Sequence, residues 1–166
     1  MFQRGDYIIY GTSGVCIVDE IGTMDMSGTK EGKLYYTLSP VYSNGSKIYT
    51  PVDNKKVVMR LVLSREEAME RIHQIPQIEP LWVEDEKKRE ECYKEALKSG
   101  SFENLIKIIK TLYLRRQSRI AVGKKMASVD ERYLKMAEDS LYGELAVSLQ
   151  LKKEEMEQFI MEHVEA

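Results

Sequence analysis

The sequence predicts an α+β protein in which a small antiparallel β module is followed by an all-α module. Residues 1–63 contain short aromatic and β-branched runs separated by glycine-rich turns. From Ser64 onward, apolar residues recur with the period of a helix. The chain has 166 residues, of which 43% are hydrophobic and 31% charged, a composition typical of one or two small folded domains.

Five runs in the first module have the composition of strands, and they are residues 6–10, 15–21, 34–38, 47–50 and 57–62. The polar segment 24–32 is the expected hairpin connection between the second and third runs. Asn44-Gly45 favours a tight hairpin before the fourth, and Pro51 ends that strand because proline cannot donate to a ladder. Five short strands at this spacing indicate a small barrel or sandwich.

Local start and stop signals define the helices of the second module. Ser64 and Glu67 form a predicted capping box, and the helix they open is expected to reach about Ile75 before Pro76. Ser128 and Glu131 predict a second capping box. The other predicted helices span 84–98, 102 to about 119, 128 to about 149, and 154–164.

Residues 104–129 contain seven Lys and Arg and no Asp or Glu, although the chain has a net charge of −2. Apolar residues at 105, 108, 109 and 112 give this helix one buried face and leave its cations on the other. Arg116, Arg119 and the turn 123–125 are expected to continue the charge past the helix end. The segment is either a surface for a polyanion, most simply a nucleic-acid backbone, or a helix C-terminus whose cations suit its dipole.

The residues that carry most enzymatic chemistry are sparse. His73 and His163 lack a carboxylate or cysteine partner at ligand spacing, and the turns 11–14 and 123–125 lack the features of a phosphate loop. The sequence therefore predicts no enzyme, cofactor, metal site or small-molecule substrate. Cys16 and Cys92 are expected to be reduced thiols. With no long apolar segment or signal-peptide pattern, we expect a cytoplasmic protein without a membrane span.

Trp82 is the only tryptophan, and it lies at a helix entrance after Pro80. It either packs against its own helix or serves as a stacking platform or wedge at a nucleic-acid interface. The neighbouring cations at 87–89 favour the second interpretation because phosphates flank any wedged base step.

Several segments, in order, resemble a known family. They are GDYIIYGTSGVCIVDEI, YYTLSP, KIYTPVD, ALKSGSFENLIKIIKTLYLRR and AEDSLYGELA. The arrangement resembles the CarD family of bacterial RNA polymerase-binding transcription regulators over residues 1 to about 150. The first part is also similar to the polymerase-interacting module of transcription–repair coupling factors.

The resemblance implies three segments: a Tudor-like, SH3-like β-barrel at 1–63, a connecting helix and linker at 64–80, and a DNA-contacting helical domain at 81–166. The barrel would pair with the polymerase β subunit through an exposed strand edge formed by Lys47, Ile48, Tyr49, Thr50 and Pro51.

The helical domain would contact promoter DNA at the upstream edge of the bubble and stabilise the open complex. Trp82 would enter the minor groove there. The expected phosphate contacts are Lys88, Arg89, Arg115, Arg116, Arg119, Lys124, Lys125 and Arg132.

The sequence departs from the family pattern at three points. Trp82 lies about one helical turn before the family's tryptophan, and Glu86 occupies the equivalent position. Tyr49 stands where an arginine can contact polymerase, and residues 122–125 have the character of an insertion. The alternatives are a free-standing nucleic-acid-binding protein, a protein–protein scaffold whose basic helix meets an acidic partner, and an enzyme with an unrecognised site.

Overall fold

The computed structural model describes residues 1–23, 32–81, 83 and 85–164. These residues form two compact units, Met1–Val62 (unit 1) and Leu63–Ala166 (unit 2). Most of the predicted connection at 24–32 lies outside the described residues, and so does Trp82. The antiparallel sheet followed by helices confirms the predicted α+β class.

Unit 1 is a five-stranded antiparallel sheet with the strand order β4-β3-β2-β1-β5. The strands are β1 (Tyr7–Tyr10), β2 (Val15–Thr23), β3 (Leu34–Pro40), β4 (Ile48–Pro51) and β5 (Met59–Leu61). All five predicted strands are confirmed. The strand pairings among the described residues do not close the sheet into a barrel.

The tight hairpin predicted at Asn44-Gly45 is wrong. Strand β3 pairs with β2 as far as Pro40, which lies opposite Cys16. Strand β4 begins only at Ile48, opposite Leu38. The connection therefore becomes the longer loop 41–47. Gly45 keeps the left-handed φ of 79° that made the dipeptide a turn signal.

One face of the sheet carries the core of unit 1, formed by Ile8, Cys16, Val18, Tyr36 and Leu38. Strand register brings these side chains together, since Ile8 lies opposite Cys16 and Val18 lies opposite Leu38. Burial raises the pKa of the Cys16 thiol to about 11, which keeps it protonated and unreactive.

Unit 2 contains five α-helices: α1 (Arg65–Gln74), α2 (Arg89–Ser99), α3 (Phe102–Ala121), α4 (Ser128–Leu149) and α5 (Met156–Val164). The capping box at the start of α1 is confirmed, because the Ser64 hydroxyl accepts from the Glu67 amide while the Glu67 carboxylate accepts from the Ser64 amide, both at 3.1 Å. The second predicted box is wrong. Helix α4 begins one residue earlier than that box requires, so Ala127 is its N-cap and makes no side-chain cap.

Two further helix boundaries differ from the prediction. The helix expected from 84 begins as a short 3₁₀ turn, Glu86–Lys88, and becomes α2 at Arg89. Helix α3 continues to Ala121, so Arg116 and Arg119 lie within it rather than beyond it.

The core of unit 2 forms where α3 and α4 pack together with α1, α2 and α5 around them. Its largest fully buried side chains include Tyr93, Ile108, Leu112, Leu145 and Met156. The buried carboxylate of Glu144 accepts a 3.0 Å hydrogen bond from the Leu63 amide, which fixes the first residue of the unit to α4. None of the helices in the described ranges has the length and apolarity needed to cross a membrane.

We expect Leu112→Ala to lower the free energy of unfolding by about 2–5 kcal/mol, because it opens a cavity in the helical core. Leu112 has a relative exposure of 0%, whereas Leu114, on the same helix, is 53% exposed. Leu114→Ala is therefore the matched control and should change stability by no more than about 0.5 kcal/mol. Urea unfolding of the full chain, followed by helical circular dichroism, measures both. Equal losses would contradict the assigned core.

Candidate functional site

Strand β4 is an edge of the sheet, and within the described residues it pairs with β3 alone. The Val52 amide donates to the Leu34 carbonyl at 3.1 Å, which sets the hydrogen-bonding phase of the pair. Because hydrogen-bonded positions alternate along an antiparallel strand, Ile48 and Thr50 turn their backbone groups toward β3. The N–H and C=O of Tyr49 consequently point away from the sheet.

The side chains of β4 also alternate. Tyr49 is 50% exposed, whereas Thr50 is 1% exposed and its hydroxyl accepts a 2.9 Å hydrogen bond from the Asn54 amide group. The five residues expected at the polymerase contact therefore differ in the accessibility of their side chains. The Tyr49 ring is available to a partner, the Thr50 side chain belongs to the interior, and Ile48 and Pro51 are half-buried.

Lys47, just before β4, is held in place by two residues of the neighbouring strands. Its ammonium group lies 2.9 Å from the Asp19 carboxylate and 2.7 Å from the Ser39 hydroxyl, which in turn donates to Asp19. The Ser39 hydrogen bond and then the Lys47 ammonium lower the pKa of Asp19, so the carboxylate stays ionised and the contact intact at neutral pH. Lys47 is thus a fixed positive charge beside Tyr49.

The basic segment of unit 2 ends in a tightly closed turn. The Gly123 amide donates to the Ile120 carbonyl at 3.0 Å and the Lys124 amide donates to the Arg119 carbonyl at 2.8 Å. This is a Schellman motif, and its left-handed position is taken by Gly123 with φ 75°. The Arg119 Nε also donates to the Lys125 carbonyl at 2.6 Å, so the turn holds a fixed shape.

The turn and the last part of α3 display cations that form no ion pair with the residues described. Among the described residues, no ion pair involves Arg116, Lys124 or Lys125, and all three are exposed. The Arg116 guanidinium lies over the Tyr113 ring, 4.8 Å from its centroid. We call Arg116, Arg119, Lys124 and Lys125 the cationic end of unit 2.

Two of the expected phosphate contacts, Arg89 and Arg115, share the same two carboxylates. The Arg115 Nε donates to Asp130 Oδ2 at 2.9 Å, and the Arg89 Nε lies 3.3 Å from Asp130 Oδ1. A terminal nitrogen, Nη1, of each arginine donates to the carboxylate of Glu86. Each arginine therefore has two carboxylate partners, and its expected contact with phosphate stays a prediction.

Asp130 is 0% exposed, which makes this cluster electrostatically important. Burial opposes the charge on Arg115, but the hydrogen bond and charge of Asp130 outweigh it, so the pKa of Arg115 is raised. Burial and the Asp130 charge raise the pKa of Tyr93 to about 12. The phenol thus stays neutral beside the ion pairs.

The two remaining predicted cations differ from each other. Arg132 donates to the Glu90 carboxylate at 3.1 Å, and its guanidinium lies 5.2 Å from the centroid of the Tyr133 ring. Lys88 is exposed at the end of the 3₁₀ turn that precedes α2. Trp82 lies outside the described residues, but the preceding residue, Leu81, donates its amide to the Thr111 hydroxyl at 2.8 Å. The chain is therefore fixed to α3 one residue before Trp82.

Sequence reasoning missed Glu86 and Asp130 as partners of the arginines. The only signal was their position in the first turn of a predicted helix, where the dipole alone explains an acid. It also missed that the rings of His73 and His163 lie near each other, with centroids 6.4 Å apart. Within the described residues, no group of three or more His, Cys, Asp or Glu is placed to hold a metal ion.

Family comparisons agree with this two-unit arrangement. Residues 2–63 match the CarD-like/TRCF RID domain, and residues 79–161 match the CarD C-terminal domain. Among curated proteins, no sequence matches the chain. Since both domain models match in the expected order and together span most of the sequence, the chain belongs to the CarD family of RNA polymerase-interacting transcription regulators.

Proposed function

We propose that the protein binds the β subunit of RNA polymerase through the edge of β4 and contacts promoter DNA through unit 2, stabilising the open complex. The observation that carries the proposal is the free edge of β4 in the region that matches the CarD-like/TRCF RID domain. An exposed strand edge allows a partner to add a strand of its own.

The chemistry of the edge favours one register. Tyr49 offers a backbone donor and an acceptor to a partner strand, whereas Pro51, two residues on, offers an acceptor only. The Tyr49 ring supplies apolar contact area at the position where the family can have an arginine, and the fixed Lys47, two residues earlier, supplies an ammonium group. Together they select for a partner strand that has an acidic group nearby.

The DNA contact relies on charge that needs no base recognition. The cationic end of unit 2 is suited to phosphates, which position a protein on DNA without reading sequence. The net charge of −2 does not oppose this, because binding to polymerase raises the effective concentration of DNA near the surface.

Trp82 is the proposed minor-groove wedge at the upstream edge of the bubble, a role that rests on the family resemblance. Inserted apolar side chains stabilise unstacked base steps, and about 1–2 kcal/mol of such stabilisation changes the rate of bubble collapse about ten-fold. The attachment of Leu81 to α3 supports the role because it fixes the chain beside the tryptophan.

We expect Tyr49→Glu in the full chain to abolish co-migration with RNA polymerase on a sizing column, because it places a charge in the strand interface. Tyr7→Glu is the matched control, since Tyr7 is 44% exposed and lies on β1, three strands from the β4 edge. Co-migration retained by Tyr49→Glu would rule out the β4 edge as the contact.

We expect Lys124→Glu to weaken crosslinking of the polymerase-bound protein to promoter DNA several-fold, because it repels a phosphate. Lys152→Glu makes the same charge change in unit 2, but Lys152 follows the other end of α4. It should leave crosslinking unchanged. Equal losses would indicate a general charge effect, and no loss from either would argue against DNA contact at this end.

We expect Arg115→Ala to lower the free energy of unfolding by about 3 kcal/mol, because it removes one partner of the buried Asp130. Arg116→Ala, one residue along α3, should cost no more than about 0.5–1 kcal/mol. Chemical denaturation of the two variants measures the difference. Similar values would mean that Asp130 does not depend on Arg115.

A further inference from the structure

Arg89 and Arg115 share two carboxylates that differ in accessibility. Asp130 is 0% exposed and contacts the Nε side of each guanidinium. Glu86 has a side chain that is 68% exposed, and its two oxygens contact a terminal nitrogen of each arginine. Asp130 thus fixes Arg115 through a 2.9 Å hydrogen bond and faces Arg89 Nε at 3.3 Å without a hydrogen bond, while another edge of each guanidinium meets an acid at the surface.

This asymmetry makes Glu86 the replaceable partner. The arginine side chains are only 20% and 29% exposed, but the Glu86 carboxylate is largely solvated and can leave for water at a lower cost than the buried Asp130. Asp130 cannot leave without uncovering two arginines and losing its own only counter-charges among the described residues. Displacing Glu86 would leave both guanidinium groups oriented and the cluster with one unmatched positive charge.

We propose that Arg89 and Arg115 form a phosphate-binding site that Glu86 occupies in the free protein and a nucleic-acid backbone phosphate occupies in the complex. The inference rests on the proposed function, since it adds a site to the DNA-contacting surface. A backbone phosphate carries one negative charge, as the Glu86 carboxylate does, so the exchange preserves the charge balance of the cluster.

The geometry fits the exchange. Guanidinium groups bind phosphate through parallel N–H donors, and two arginines directed at one anion form a clamp. Arg115 lies 3.4 Å from Glu86 through a terminal nitrogen, a contact long enough to be improved by a better-placed oxygen. The buried Asp130 holds Arg115 in position through a hydrogen bond and attracts Arg89, whose Nε lies 3.3 Å from Oδ1, which reduces the entropy lost when the anion binds.

The site also adjoins the surface already described. Arg115 and Arg119 are four residues apart in α3 and so lie on the same face of that helix. Lys88 directly precedes Arg89. A phosphate backbone that reaches the cationic end can therefore continue onto the Arg89–Arg115 pair.

Binding of the full-length protein to a fluorescently labelled DNA duplex, across a series of NaCl concentrations, tests the site. Glu86→Gln keeps the shape of the side chain but removes the competing charge. We expect roughly five-fold tighter binding at low salt and a salt slope steeper by about 0.9, the signature of one more phosphate contact.

Glu91→Gln is the matched control. It removes the same charge near the start of α2, and Glu91 makes no ion pair within the described residues. It should produce a smaller gain and leave the salt slope unchanged. Equal gains from both variants would mean that only net charge matters, and no gain from Glu86→Gln would mean that Glu86 does not compete for the site.

Inorganic phosphate, added at constant ionic strength, separates the site from the proposed function. We expect phosphate to raise the Tm of Glu86→Gln more than that of the wild type or Glu91→Gln, because an anion that binds only the folded state stabilises it. That result without binding of any variant to DNA, free or polymerase-bound, would uphold the anion site and refute the proposed function. If wild type and Glu86→Gln bind DNA equally and phosphate does not change the Tm, the anion site is refuted while the proposed function is upheld.

Discussion

The buried pairing of Asp130 with Arg89 and Arg115 is the interaction on which the shape of the cationic surface depends. It joins three helices, since Asp130 belongs to α4, Arg89 to α2 and Arg115 to α3. A carboxylate with no exposure needs opposite charges near it, which ties the ends of these helices to one arrangement. Such a cluster adds less to stability than an apolar core of equal volume, but it specifies which helix ends meet.

Each unit exposes a surface that the proposed function uses, and each has features that limit the cost of exposing it. A free strand edge is prone to aggregation, and β4 is short, ends in Pro51 and is flanked by the charge of Lys47. A dense group of cations repels itself, and unit 2 limits this by pairing some arginines with acids, whereas the lysines of the turn form no ion pair with any residue that the structure describes. Features of the edge of β4 therefore limit aggregation, and ion pairs in unit 2 limit repulsion among its cations.

The sequence was sufficient for most features that depend on neighbouring residues, although the local capping signal at Ser128 was wrong by one residue. Strand composition, the capping box at Ser64 and the apolar stripe of α3 all follow from local pattern, and each is present. The sequence was insufficient where contacts between distant residues determine the structure. The loop after β3 is set by how far β2 accompanies β3, and the engagement of Arg115 is set by Asp130, fifteen positions away across a turn. Neither leaves a periodic trace in the sequence.

The Schellman turn after α3 has an evolutionary consequence. Its closing hydrogen bonds come from the main chain and from Arg119, so the side chains of Val122, Lys124 and Lys125 take no part in holding its shape. Substitutions at these positions can strengthen or weaken the attraction to phosphate while the fold stays as it is. Under the proposed function, attachment to DNA would be a property that selection can adjust in small steps, independently of the need to remain folded.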